Sequence, residues 1–381
     1  VLILFEVSKS GNVSACGQPF FAPLPEDRGI QKGTIMKVLI TGATGLLGGH
    51  LLQALQQRGE PMRALVLPSE NAEKLTVQGV EVIRGDVTDA GTLAPAVKDR
   101  EIIIHLAGMM GVERPLADYR LVNVTGSGNL YQVAQKAGVR RFVHTSSHTV
   151  YGLGYGRFLT EKDALRPDPD PYSITKAEGD RLIRRLMLNS DVETVILRPG
   201  TFFGPGDRLH FGRIAQRMKN GKGVIIGRGD NALPFCYVTD VVQGFLLAAY
   251  HEKAPGNVYN ITNDHPLTQQ EIFDAIADDV HGKRPTRRLP YLPVYYGGIV
   301  AERIAHLTHT RPIVTRLGAM MFGTDNRHSV EKARSELGYE PQVDIREGIK
   351  LAAAWFNAGG IEQPVVAQAS QYASLGGNRK Q

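Results

Sequence analysis

Thr41-Gly42-Ala43-Thr44-Gly45-Leu46-Leu47-Gly48 follows the apolar run Val38 to Thr41 and opens a helical pattern that extends to about Arg58. A strand that passes through a glycine loop into a helix makes a cradle for a pyrophosphate. Glycine permits the tight turn and the close backbone approach, and the helix N-terminus presents free N–H groups with a partial positive charge. Outward from this loop, further short apolar runs read as strands at Arg63 to Leu67, Val80 to Arg84, Ile102 to Leu106, Arg141 to Ser146 and Thr194 to Arg198. Helical patterns lie between them, near 118–137 and 172–188. Regular alternation of this kind predicts an α/β fold, a doubly wound parallel sheet of the Rossmann type covered on both faces.

The alternation loosens after Pro199. Residues 199–235 and 253–357 are expected to form a smaller substrate lobe over the carboxyl ends of the strands. Residues 236–252, a strand and then an apolar helix, are expected to return to the 36–198 nucleotide domain. Residues 1–35 lack periodicity and are read as an N-terminal extension without function, with Met36 as the natural start. Residues 358–381 are polar and glycine-rich and are read as a flexible tail.

Composition bounds the function. The chain has 381 residues, 42% hydrophobic and 22% charged, with a formal charge of +6, which fits a globular protein with a large core. The basic residues are scattered in short pairs such as Arg140-Arg141 and Arg287-Arg288. No basic cluster or recognition motif accompanies them, so a nucleic-acid partner is not expected. Two cysteines, Cys16 and Cys236, cannot build a disulfide framework, which points to a cytoplasmic location. No stretch reaches the roughly 18–20 apolar residues that span a bilayer.

Tyr172 and Lys176 stand four apart in the helical pattern that starts at Asp170-Pro171, an N-cap followed by a first-turn proline. Residues at this spacing share a helix face, so the phenol and the ammonium are expected in one pocket. A nearby cation favours the phenolate, and Lys176 is expected to lower the tyrosine pKa from its ordinary value of about 10. The fifth strand ends in His144-Thr145-Ser146-Ser147-His148-Thr149, where a hydroxyl is placed to hold a substrate oxygen. Asp86 follows the third strand and reads either as an acceptor for an adenine amino group or as a turn residue. His144 and His148 have no carboxylate or cysteine partners in sequence, so no metal site is expected. His105 reads as a core strand histidine.

The stretches TGATGLLG (41–48), GDVTD (85–89), HLAG (105–108), NVTGSGNL (123–130), TSSHTVYG (145–152), PYSITKAEGD (171–180) and RPGTFFGPGD (198–207) occur in order. Residues 36–357 therefore resemble an extended short-chain dehydrogenase/reductase. The resemblance implies that Ser147 orients a carbonyl or alcohol, Tyr172 exchanges its proton, and Lys176 binds the nicotinamide ribose and biases the tyrosine. Asn123 would shape a helix or relay protons. Ser146 is the competing serine, and the distance to Val-Tyr-Gly in similar sequences favours Ser147. The cofactor would be NAD or NADP, held by Gly42, Thr44, Gly45, Leu46, Leu47, Gly48, Asp86, Val87, Leu106, Ala107, Gly108, Asn123, Tyr172, Lys176 and Pro199. At the end of the second strand, where an acid would take the ribose diol, Val66, Leu67 and Pro68 stand instead, with Glu70 slightly too late and Arg63 too early. The balance leans slightly to NAD. A homodimer through helices of the nucleotide domain would be ordinary for such relatives.

Two departures narrow the substrate. Similar 4,6-dehydratases carry an Asp-Glu pair where His148 and Thr149 stand. Many nucleotide-sugar epimerases carry an Arg-Asp pair where Leu233-Pro234 stand, and an apolar residue cannot neutralise a diphosphate. The apolar, aromatic segment Leu289 to Leu307 reads as a wall for a greasy substrate, a membrane contact or a buried core helix. Ser329 to Pro341 is similar to the C-terminal signature of 3β-hydroxysteroid dehydrogenase-like members. The expectation is an oxidoreductase acting on a hydrophobic secondary alcohol or ketone, of the 3β-hydroxysteroid dehydrogenase and dihydroflavonol reductase branch. A nucleotide-sugar 4-epimerase is the alternative, and a non-catalytic cofactor sensor the third reading.

Overall fold

The computed structural model describes residues 35–361 except 112, 113, 309, 311 and 313. The extension and the tail read from the sequence lie, but for a few residues, outside this range.

Seven parallel strands form the central sheet: β1 (Val38–Thr41), β2 (Met62–Val66), β3 (Glu81–Arg84), β4 (Ile102–His105), β5 (Arg141–Thr145), β6 (Glu193–Pro199) and β7 (Val258–Ile261). Their spatial order is β7-β6-β5-β4-β1-β2-β3. The order reverses between β1 and β4, whose ends pair Thr41 with His105, and a doubly wound sheet binds ligands at such a reversal. Val38, Leu39, Ile40, Ile102, Ile103 and Ile104 are all 0% exposed. That is why these strands read as continuous apolar runs rather than alternating ones.

Two cores sandwich the sheet. One holds α1 (Leu46–Gln57) and the helix Val238–Tyr250 against Val38, Ile40 and Ile104. The other packs Leu130, Tyr131, Ala134 and Ile183 against Leu39, Ile103 and Phe142. Ile183 belongs to α2 (Pro171–Leu186). A third core, with Phe203, Phe211, Phe235, Tyr237, Ile272 and Ile349, fills the smaller lobe.

The domain division read from the sequence needs two corrections. Val258–Ile261 lies inside the stretch assigned to the lobe, yet it pairs with Ile196–Pro199 as the seventh strand of the main sheet. Val330, Ala333, Leu337 and Tyr339 follow it into the main core. Conversely, Phe235–Tyr237 does not join the main sheet but pairs with Thr201–Phe203, while Cys236 and the helix that follows pack into the main core. A four-residue edge strand that follows Asn257 and holds Asn260 carries too little periodicity to be told from a turn, and its partner, Ile196 opposite Val258, is distant in the chain.

Candidate active site

The glycine loop is shaped for close approach. Gly42 has φ +70°, and a Cβ there would lie 2.9 Å from the Ala107 nitrogen. A Cβ on Gly48 would lie 2.3 Å from the Gly42 oxygen. Gly45 caps α1 with no side-chain bond to its first turn, so no side chain competes for the N–H groups of that turn. A loop of this shape, with an uncapped helix start behind it, fits a dinucleotide pyrophosphate. The Thr41 hydroxyl receives the Ala107 N–H at 3.1 Å and contacts His105 Nδ1 at 2.8 Å, joining the ends of β1 and β4. The lobe closes over this loop, with His50 Nε2 at 2.9 Å from the Pro205 oxygen and Leu46 beside Gly206.

Glu70 lies slightly too late in the sequence for the acid expected at the end of β2, but the fold brings it back. Its carboxylate accepts the Thr44 hydroxyl at 2.8 Å and the Leu67 N–H at 3.0 Å. An acid therefore stands beside the end of β2 and over the glycine loop. Asp86 has one oxygen on the Thr88 N–H at 2.8 Å, so it organises its own turn.

Asp170 caps α2 by accepting the Ser173 N–H at 2.9 Å, with Pro171 in the first turn. Tyr172 thus sits at the start of the helix, next to the sheet's carboxyl edge. One turn on, buried Lys176 donates from Nζ to the Thr145 carbonyl at 2.8 Å. The two residues that follow Thr145 diverge. Ser147 lies beside the Tyr172 phenol, whose pKa it lowers, and accepts the Thr149 hydroxyl at 3.0 Å and the Thr149 N–H at 3.2 Å, which leaves its own proton to donate. Ser146 turns away and donates to Asp180 at 2.7 Å.

Asn123 lies in a π-helical turn, Leu121–Gly126, a distortion common at functional sites. Its Oδ1 accepts the Met109 N–H at 2.7 Å, and its Nδ2 donates to Thr175 at 3.0 Å. A Cβ on Gly108 would lie 3.2 Å from both Asn123 Oδ1 and Lys176 Nζ. The fold therefore brings the end of β4, Asn123 and Lys176 together. Buried Val87 packs against Gly126, and the Pro199 oxygen receives His148 Nδ1 at 3.2 Å.

The electrostatics correct one expectation. Burial pushes the Tyr172 phenol up to about 12, against a lowering from the Ser147 side chain, and burial pulls the Lys176 ammonium down to about 8. The ammonium stands 6.0 Å from the ring centroid and does not overcome desolvation in the protein alone. His144 has both ring nitrogens unpaired among the described residues, and burial, then the Lys176 charge, hold it down at about 3. As pH falls below 6.5 the unfolded chain protonates this histidine and the folded chain does not, so stability is lost on acidification. His144→Leu should make the dependence of unfolding free energy on pH between 6.5 and 4 shallower by about 1.4 kcal/mol per pH unit. Urea unfolding at several pH values tests this, and identical slopes would refute it. His105 is the core histidine expected, with Nε2 on Ser127 at 2.9 Å.

Most of the apolar, aromatic segment Leu289 to Leu307 lies in helix α3 (Tyr291–Thr308), and it is not a buried core helix. Tyr291 and Tyr295 are partly covered, whereas Leu292, Tyr296, Val300, Ile304 and Leu307 are exposed. Gly323 abuts Tyr291, and Arg316 joins Glu302 of this helix to the Pro169 carbonyl just before Tyr172. Leu233 is fully buried, and the Pro234 carbonyl receives the Thr201 N–H at 2.8 Å. A surface hollow of about 540 Å³ nearby is lined by Arg228, Asp230, Asp325 and Arg327, whose arginines already pair with Asp230 and Asp325. Among the described residues no helix is long and apolar enough to cross a membrane.

A glycine loop shaped for a pyrophosphate at the switch point of a doubly wound sheet, beside a serine, tyrosine and lysine, is the arrangement of an extended short-chain dehydrogenase/reductase. The model of the NAD dependent epimerase/dehydratase family matches residues 38–262, and the chain belongs to that family of NAD-dependent enzymes. It is 31% identical to the 2-alkyl-3-oxoalkanoate reductase of Stenotrophomonas maltophilia, over 84% of this chain and 99% of that protein. It is 31% identical to the 3 beta-hydroxysteroid dehydrogenase/Delta 5-->4-isomerase of Mycobacterium tuberculosis, over 82% and 88%. Among solved structures, MoeE5 in complex with UDP-glucuronic acid and NAD superposes with a TM-score of 0.67 at 25% identity, over 85% of this chain and 99% of that one.

Proposed function

We propose that the protein interconverts a secondary alcohol and a ketone on a hydrophobic substrate, with NAD as the hydride carrier. The observation that carries this reading is the meeting of Ser147, Tyr172 and Lys176 at the carboxyl end of β5. A bound nicotinamide supplies the hydride acceptor or donor. Ser147, with Thr149 on its lone pairs, donates its hydrogen to the substrate oxygen. Tyr172 takes the hydroxyl proton in oxidation and returns it in reduction. Lys176 supplies the positive charge that favours the phenolate when Tyr172 has lost its proton.

Glu70 supports NAD over NADP, because a carboxylate beside the end of β2 accepts from a ribose diol and repels a 2′-phosphate. The substrate class rests on the apolar Leu233-Pro234 position, on the apolar helix α3 near the Tyr172 loop, and on relatives named for a steroid and an alkyl oxo acid. Likeness to MoeE5 keeps an epimerase as the second reading, since transient oxidation of a sugar would use the same three residues.

The test follows nicotinamide absorbance with NAD or NADP and a 3β-hydroxysteroid, a flavanonol pair or a UDP-hexose. Net reduction of NAD with a hydrophobic alcohol is the expected result. Conversion of the UDP-hexose to its epimer, with no net change in absorbance, would overturn it. Ser147→Ala should lower kcat by about a hundredfold, the usual effect of removing one oxygen-stabilising donor, while a fluorescence titration shows unchanged NAD affinity.

A further inference from the structure

Asp180 and Arg198 are a bidentate ion pair with both side chains at 0% exposure. Arg198 donates from Nε to Asp180 Oδ2 at 2.9 Å and from Nη2 to Oδ1 at 3.0 Å. Asp180 stands on α2 four residues beyond Lys176 and eight beyond Tyr172, so it lies near the same helix face. Arg198 stands on β6, beside β5 in the sheet. Removing two charges from water is costly, and apolar pairs of similar volume often replace such a bridge without loss of stability. Stability alone therefore does not account for the pair, and its connections suggest another role.

The carboxylate also accepts the Ser146 hydroxyl at 2.7 Å. Ser146 lies between Thr145, whose carbonyl receives Lys176, and Ser147, which touches Tyr172. Helix α2 is therefore fastened to one strand end at two points a turn apart, and two such points fix both its rotation and its translation. Only the Lys176 point uses a group with a chemical task. The guanidinium extends the brace, donating from Nη1 to the Tyr151 hydroxyl at 2.7 Å. Tyr151 in turn donates to Asn260 on β7 at 2.7 Å. The rigid fork of arginine suits this planar, two-bond grip.

We infer that Asp180 and Arg198 are positioning residues that hold the helix bearing Tyr172 and Lys176 in register with the strand end bearing Ser147. The inference rests on the proposed roles of those three residues, but its structural half can be measured without turnover. The decisive variant is Asp180→Leu with Arg198→Met, which removes both charges and keeps an apolar filling. It should fold, bind NAD as the wild type does, and lose about a hundredfold in kcat at nearly constant KM. Hydrogen exchange of amides 145–151 should accelerate while amides of β1 and β4 stay protected.

Arg198→Lys, which keeps the charge but not the fork, should fall between the wild type and the double variant. Wild-type kcat and exchange in a folded double variant would overturn the inference. If the double variant does not fold, Ser146→Ala decides, since it cuts the bond through which the pair reaches the strand end. A tenfold loss of kcat at constant KM, with faster exchange at 145–151, supports the brace; wild-type values for both overturn it. Should the wild type turn over none of the tested substrates, exchange alone decides the brace, and failure of the proposed reaction stays separate.

Discussion

Tyr172→Phe is expected to lose about a thousandfold in kcat with the alcohol or ketone substrate, while its NAD affinity and thermal unfolding midpoint stay close to wild type. The magnitude is that of a positioned proton donor or acceptor, typically 10²–10⁴-fold. The benzene ring stays in place, so packing against the core beside it is retained. What disappears is the only atom of this side chain able to exchange a proton, together with its interaction with Ser147. Steady-state kinetics beside an NAD titration test both halves, and substantial turnover by the variant would remove Tyr172 from its role.

Gly48→Ala is expected to weaken NAD binding at least a hundredfold and to destabilise the fold by about 1–3 kcal/mol, the usual range for forced overpacking. The added Cβ would meet the Gly42 oxygen at 2.3 Å and the Ala43 Cα at 2.7 Å. Those atoms are backbone, so no rotamer change relieves the contact, and the start of α1 must lift from the loop. The loop and the helix N-terminus would then no longer present their N–H groups together. Calorimetric titration with NAD and a urea melt measure the two effects, and unaltered affinity would show that the loop does not bind the pyrophosphate.

Much of the local geometry of the candidate site was legible because its causes are local. A strand of buried apolar residues, a loop that needs glycine at Gly42 and Gly48, and a helix that needs a cap at Asp170 are all decided by near neighbours in the chain. The spacing from Tyr172 to Lys176 belongs to the same kind, since one helical turn aligns them without help from elsewhere. The choice between Ser146 and Ser147 was less local. The distance to Val-Tyr-Gly favoured Ser147, but the partner that turns Ser146 away, Asp180, stands 34 residues further on.

From its sequence alone, then, the chain specifies the parallel sheet, its glycine loop and the helix face shared by Tyr172 and Lys176, because periodicity and steric rules act over a few residues. Tertiary structure decided what depends on burial and on distant partners. It brought Glu70 back over the loop, added Val258–Ile261 to the main sheet, and joined Asp180 to Arg198. It also reversed the expected direction of the Tyr172 pKa. Desolvation and long-range pairing are set by the whole packed chain, and no short stretch of sequence carries them.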